Sequence, residues 1–326
     1  MKAILKNPKL FQKILAVYPK KFFNDCDITF SPTEIGSKMM CTSHISLAVL
    51  HLPASSIYSK FESPDNESFI CCFELEKLRS KLKKFLGGAG IASDEKEDEE
   101  EEDEVIAQII GKKKKRKMKT TIGSKTSSLT LSTTDLNSDA IRFLHKTSTK
   151  QQQWDINLKE KSEELPDMPP LPANLTITMA SALYNEIKNM LEGSTVRISA
   201  ESSSKVNFFY VDDDKQAISL SWDSCADPEA KNYLNINFAE PVDEPIQIVV
   251  SVERFKAIQN TFGQFVRLSI CDAAQPLSTK FLITQNEKDG FVEFFLAPNV
   301  IDPSNIDGVP AESKTEVADD AGTSED

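Results

Sequence analysis

Long apolar runs are missing from the chain: none approaches the roughly 20 residues that a membrane-spanning helix needs, which excludes a protein threaded through a bilayer by helices. The first residues, Met1-Lys2-Ala3-Ile4-Leu5-Lys6-Asn7-Pro8, carry neither the apolar core nor the small-residue cleavage site of a secretory signal. Cysteine is sparse. The six cysteines, at 26, 41, 71, 72, 225 and 271, form no CxxC pair and no regular spacing. A disulfide framework is therefore not expected, and a reducing compartment, cytosol or nucleus, fits best. Histidine is scarcer still, with His44, His51 and His145 alone, and the first and second lie in one apolar strand region as structural or groove residues. No Ser/His/Asp arrangement or zinc spacing can be assembled from this set, and "GGAG" (87–90) lacks the Gly-Lys-Ser/Thr ending of a phosphate-binding loop. Catalysis is not expected, and neither is a cofactor or a bound metal.

Charge is abundant and unevenly spread. The net charge of −12 taken alone argues against a nucleic-acid binder. Yet ten of the eleven residues from Asp94 to Glu104 are acidic, and seven of the eight from Lys112 to Lys119 are basic. A chain that is acidic overall still has room for a basic working face. An acidic block of this length is expected to be solvated, as is the tail from 302 to 326. "KKKKRKMK" (112–119) is a candidate nuclear import signal, against the plainer reading of electrostatic balance with the acidic run before it.

The chain also repeats itself. "LFQKIL" (10–15) matches "LYNEIK" (183–188) at an offset of 173 residues (183 − 10). "LEKLRSKLKKF" (75–85) matches "VERFKAIQNTF" (252–262) at 177 (253 − 76), and "RFLHK" (142–146) answers "KFLIT" (280–284) at 138 (280 − 142). The first half thus carries about 39 extra residues (177 − 138), in the window that holds "GGAG" and the two charge runs, so this tract is an insertion into a repeat. Each half reads as helix, strands, helix, strands. "CDITFSPTEIGSKMM", "SHISLAVLHL", "VRISAE", "VNFFYV", "AISLSW" and "LNINFA" show the two-residue alternation of half-buried strands. Helices covering one face of antiparallel sheets make an α+β fold.

Two helices in the first half have a basic outer face. Leu10, Phe11, Ile14 and Leu15 form the apolar stripe of one, with Lys9 and Lys13 opposite and Lys20 and Lys21 following. Leu75, Leu78, Leu82 and Phe85 form that of the other, with Lys77, Lys81 and Lys84 opposite. The plain alternative is a solvated surface. Lysines without acidic partners on two helices point instead to phosphates, contacts that are independent of base sequence and sensitive to salt. In the second half the matching helices offer only Lys188, Arg254 and Lys256, set against Glu186 and Glu253, so the first half is expected to dominate.

Four stretches in order resemble the eukaryotic-type DNA sliding clamps, the proliferating cell nuclear antigen family. "MCTSHISLAVLHL" (40–52) resembles that family's Met-x-Ser-Ser-His-Val-Ser-Leu-Val strand pair. "LNINFAEPV" (234–242), "QPLSTKFLI" (275–283) and "FFLAPNV" (294–300) resemble its Val-Thr-Ile-Glu-Met-Asn-Glu-Pro-Val, Pro-Leu-Val-Val-Glu-Tyr-Lys-Ile and Tyr-Tyr-Leu-Ala-Pro-Lys-Ile. The match spans about residues 4–90 and 126–301. The insertion and the scarcity of basic residues in the second half depart from the pattern, as in a divergent member from a protist or a large DNA virus. The resemblance implies a DNA-clamp fold of two similar domains, each with antiparallel sheets and two helices facing the interior of a ring. They would span 1–158 (with the insertion at about 92–124) and 175–301, joined by a connecting loop at 159–174.

It further implies a homotrimer that encircles double-stranded DNA without sequence specificity, is placed there by a clamp loader, and tethers a DNA polymerase and other clients. The phosphate contacts would be Lys9, Lys13, Lys20, Lys21, Lys77, Lys81, Lys84, Lys188 and Lys256. Clients would insert a short motif into a groove of Met40, His44, Ile45 and Leu47, of Leu165, Met168 and Leu171 from the connector, and of Pro276, Leu277, Ala297, Pro298 and Val300. In "SEELPDMPPLP" (162–172) the prolines fit a stiff linker, but the three apolar residues at spacing three are more than a linker needs. Subunits would join through "QQWDINLK" (152–159) and "QAISLSWD" (216–223), with Trp154, Ile156 and Leu158 matched to Ile218, Leu220 and Trp222. Rival readings are a subunit of a heterotrimeric checkpoint clamp, a non-trimeric viral processivity factor or, in another class, an acidic-tract chaperone.

Overall fold

The computed structural model describes residues 1–43, 46–86, 127–133, 139–160, 172–212, 214–241, 244–258, 263–284 and 286–299. The charged insertion, most of the connector (161–171) and the tail lie outside these residues.

The strand alternation of the sequence becomes two runs of nine strands in the same order. The first half is β1 (Lys2–Leu5), α1 (Pro8–Ala16), β2 (Asp25–Phe30), β3 (Glu34–Met40), β4 (Ser46–Pro53), a single turn α2 (Ala54–Ile57), β5 (Tyr58–Glu62), β6 (Phe69–Glu74), α3 (Leu75–Leu86), β7 (Ser128–Ser132), β8 (Ala140–Lys146) and β9 (Gln151–Asn157). The second half is β10 (Leu175–Ala180), α4 (Ser181–Met190), β11 (Thr195–Ser202), β12 (Lys205–Val211), β13 (Ala217–Asp223), β14 (Leu234–Phe238), β15 (Ile246–Ser251), α5 (Val252–Ala257), β16 (Phe265–Ile270), β17 (Leu277–Leu282) and β18 (Phe291–Leu296). Among these elements α2 alone has no counterpart in the other half.

Helix starts follow local chemistry. Asn7 caps α1 by accepting from the Leu10 N–H at 3.0 Å, and Pro8 occupies the first turn, where a missing N–H costs nothing. Glu76 in the first turn of α3 and Lys83 and Lys84 in its last oppose the helix dipole. Gly193, with φ 72°, makes the turn from α4 into β11; a Cβ there would overlap the Val211 carbonyl oxygen.

All strand pairs are antiparallel. The sheets are β5-β1-β7-β8-β9, β13-β12-β11-β15, and a nine-stranded sheet β14-β10-β16-β17-β18-β4-β3-β2-β6. Under the repeat, the nine-stranded sheet is two pieces fused. Its β14-to-β18 part matches the five-stranded sheet, and its β4-to-β6 part matches the four-stranded one. The fusion is the seam between β18 and β4, where Phe294 faces Ala48 and Val292 faces Leu50. The core runs across it: Tyr18 and Phe23, which follow α1, pack against Phe294 with ring centroids 5.8 and 6.1 Å apart. The fold class is α+β, as the alternation and the helix count imply.

Candidate functional site: helix face, outer groove and open edges

The helices α1 and α3 lie side by side, and their apolar stripes are buried at Phe11, Ile14, Leu15, Leu78 and Leu82. Lys9, Lys77, Lys81 and Lys84 are therefore exposed on the far side, with Lys13 half-buried. The expectation that these lysines have no acidic partners needs correcting. Lys20 pairs with Glu76 at 2.9 Å, Lys77 with Glu74 at 2.6 Å, and Lys21 with Glu253 of α5. The Lys20 ammonium holds the Glu76 carboxyl below its ordinary range. These pairs are exposed and screened by solvent, so a polyanion would compete for the same ammonium groups at little cost. Lys21 differs from the others, because its partner lies across the seam.

In the second half the lysines are used differently. Lys188, the eighth residue of α4, is buried and donates to the Ile258 carbonyl at the end of α5. Lys256 donates to the Leu191 carbonyl at the end of α4 at 2.9 Å. Each helix thus caps the other. Burial, with the nearby Lys256 charge second, pushes the Lys188 ammonium down to about 8. Lys188 is not on an open surface, and the Lys256 ammonium is bound to a main-chain oxygen. The first half uses Arg79 in the position of Lys256, the fifth of its helix. Arg79 donates to the Leu15 and Tyr18 carbonyls that end α1. Sequence reading missed this role because a cation in a helix gives no sign of where it points.

On the opposite side of the seam, Met40 pairs across β3–β4 with Leu47, which faces Phe295 across β4–β18. Ala297 and Pro298 follow β18, and Pro276 precedes β17. Met40, Leu47 and Phe295 thus stand side by side on the face opposite Phe294, and Pro276, Ala297 and Pro298 adjoin the ends of the neighbouring strands. Met40, Pro276, Phe295, Ala297 and Pro298 are half-buried, whereas Leu47 is nearly covered and Leu277 fully so. Leu277 supports the surface and does not line it. Phe295 was missed, although it alternates with buried Phe294. His44, Ile45, Leu165, Met168, Leu171 and Val300 lie outside the described residues.

Two seven-residue strands end their sheets with no second neighbour among the described residues: β9 and β13. They are the counterparts of β18 and β4. Main-chain bonds fix the correspondence. Lys159 N–H donates to Cys72 O at 3.0 Å, and Asn299 N–H to Val249 O at 2.8 Å, so Trp154 and Phe294 each stand five residues before matching donors. Outward from the helix starts at Leu75 and Val252, the strand pairs make Leu50 equivalent to Leu220 and Ala48 to Ile218. Ala48, Leu50 and Leu52 are fully buried by β18, but Ile218, Leu220 and Trp222 are only half-buried. On β9, Trp154 and Ile156 are buried under α3, Trp154 stacked between Phe85 and Phe143 at 4.0 and 5.3 Å, while Leu158 is half-buried. The Trp154 indole N–H is buried and meets no acceptor among the described residues.

No protein-family model matches the chain, and no curated protein does. Among solved structures the chain is similar to proliferating cellular nuclear antigen from Entamoeba histolytica, with a TM-score of 0.66 over 91% of this chain and 98% of that one, at 17% identity. At that identity the likeness is one of fold: the chain has the two-part architecture of a sliding clamp.

Proposed function

We propose that the protein is a DNA sliding clamp, a homotrimeric ring that encircles duplex DNA, is set there by a clamp loader, and holds a polymerase and other replication and repair clients on it. The observation that carries this reading is the pair of open edges, β9 and β13, which are the two sides of a seam the chain has already closed once within itself. Two edges that match head to tail on one molecule build a closed ring or an open filament, according to the angle between them. An exposed strand edge of seven residues invites aggregation unless a partner covers it. Carrying the internal register over sets Trp154 opposite Ile218 on the neighbouring copy. The helix face supports the reading of what passes through: exposed lysines in each first half, cations engaged in capping in each second half. No bond is made or broken in this role. The benefit is kinetic, since a tethered client rebinds at high effective concentration. Entry into the nucleus through Lys112–Lys119 belongs to the same proposal.

A measurement of mass in solution tests the ring, with three chains expected. The DNA role is tested by loading onto nicked circular DNA. Retention on the circle and release when it is cut linear is the expected result, and equal retention on both forms would remove the encircling role.

A further inference from the structure

Among the described residues only two large apolar side chains are exposed, Ile70 and Met190, and Met190 is the more exposed at 42%. Met190 ends α4 at a fixed place: its carbonyl accepts from the Tyr210 hydroxyl at 2.8 Å, and Gly193 then turns the chain sharply into β11. Its counterpart is Val17, at the same distance from the start of α1, and Val17 is fully buried. The difference has a location. The end of α1 and the residues after it lie against the second half, with Tyr18 and Phe23 on Phe294 of β18 and Lys21 on Glu253 of α5. The end of α4 has no such neighbour among the described residues.

The place equivalent to α5 and β18 is the cleft between α3 and β9. It is open, with a volume of about 360 Å³, and is lined by Glu74, Lys77 and Lys81 of the helix side and by Ile156 and Leu158 of the strand side. Its floor is apolar, and its rim is mixed in charge, with Lys77, Lys81 and Lys159 beside Glu74 and Asp155. The turn after Met190 also carries an exposed acid, Glu192.

We infer that Met190 of one copy fills the cleft between α3 and β9 of the next, as a knob that fixes how the helix layers of adjacent copies meet. This rests on the proposal that copies join through β9 and β13, and adds to it a contact on the helix side. Methionine suits the task, because an unbranched thioether adapts to a cleft of irregular shape.

Oxidation by dilute hydrogen peroxide, followed peptide by peptide by mass spectrometry on the full chain, reads whether the thioether is covered. Met190 is expected to oxidise at least tenfold more slowly in the assembled protein than in an Ile218→Asp variant that stays as single chains. Met190→Glu is expected to weaken self-association at least tenfold in sedimentation, with an unchanged circular dichroism spectrum, and Met190→Leu to leave it within threefold. Equal oxidation in both forms, or undiminished assembly of Met190→Glu, overturns the knob while the ring stands. A wild-type protein that does not self-associate overturns the ring, and this contact with it.

Discussion

The eighth residue of α1 is Leu15, packed into the core, and the eighth residue of α4 is Lys188, buried as well but with its ammonium on the Ile258 carbonyl. The same contrast recurs wherever the two halves are set side by side. Val17 is covered and Met190 is not; Leu50 is covered by β18, and Leu220 has only its own sheet. Arg79 and Lys256 do the same capping work, but in the first half that leaves the other cations exposed, while in the second it completes a mutual clasp. One fold can thus be given two jobs by changing what its equivalent positions meet. The first half presents charge on its helices and an apolar cleft beside β9. The second half closes its helices on themselves and presents β13 and Met190.

The seam and its open counterpart can be separated by matched substitutions. Phe294→Ala removes a fully buried ring at the join and should lower stability by ~3–5 kcal/mol in urea unfolding, with loss of the linkage between the halves. Ile218→Asp changes a half-buried side chain on an edge. It should lower the stability of the single chain by no more than ~2 kcal/mol while abolishing assembly. Equal stability losses would mean that the edge belongs to the core.

Charge reversal sharpens the difference between the helix layers. Lys81→Glu with Lys84→Glu should reduce affinity for duplex DNA by tenfold or more. It should also flatten the slope of log affinity against log salt by ~2, since each phosphate that a lysine neutralises contributes about 0.9 to that slope. Lys256→Glu should do less to the salt slope and more to the melting temperature, because the Leu191 carbonyl would be without its donor. A fall in DNA affinity at Lys256 equal to that at Lys81 and Lys84 would show that the second half also grips.

Lys188 makes a pH signature. Its ammonium titrates at about 8 in the folded chain and near 10.5 unfolded, so between these values the unfolded state holds more protons and stability rises with pH. Below 8 both states are charged and no pH dependence comes from this group. Relative to Lys188→Met, the wild type should therefore gain ~2–3 kcal/mol as pH rises from 8 to 10.5, read by denaturant unfolding of both chains at each pH. Parallel curves would place the ammonium in water. The smallest effect belongs to the exposed cross-seam pair: Glu253→Gln should lower the unfolding midpoint only slightly, and the difference should vanish in high salt.

Periodicity made most of the fold legible. The strands "VRISAE", "VNFFYV" and "AISLSW" and the stripes of α1 and α3 stand where alternation and three-and-four spacing put them. The repeat was legible because helix starts and strand pairs recur at nearly fixed offsets. The destinations of long side chains were not. Lys188 and Lys77 look alike in sequence; one reaches inward to a carbonyl and the other pairs with Glu74, and only the packing of α4 on α5 decides it. Nor could alternation tell fully buried Leu277 from half-buried Phe295, since both are apolar and in strands.

The chain has two tryptophans, and each lies on one of the two seven-residue strands that end a sheet: Trp154 on β9 and Trp222 on β13. Trp154 is sealed between two phenylalanine rings, whereas Trp222 is half open to water. On the proposed assembly the two tryptophans form an optical gauge of closure. Dilution that parts the copies should shift ultraviolet emission to the red through Trp222 alone, so a Trp222→Phe variant would go dark to the event while Trp154 continues to emit unchanged.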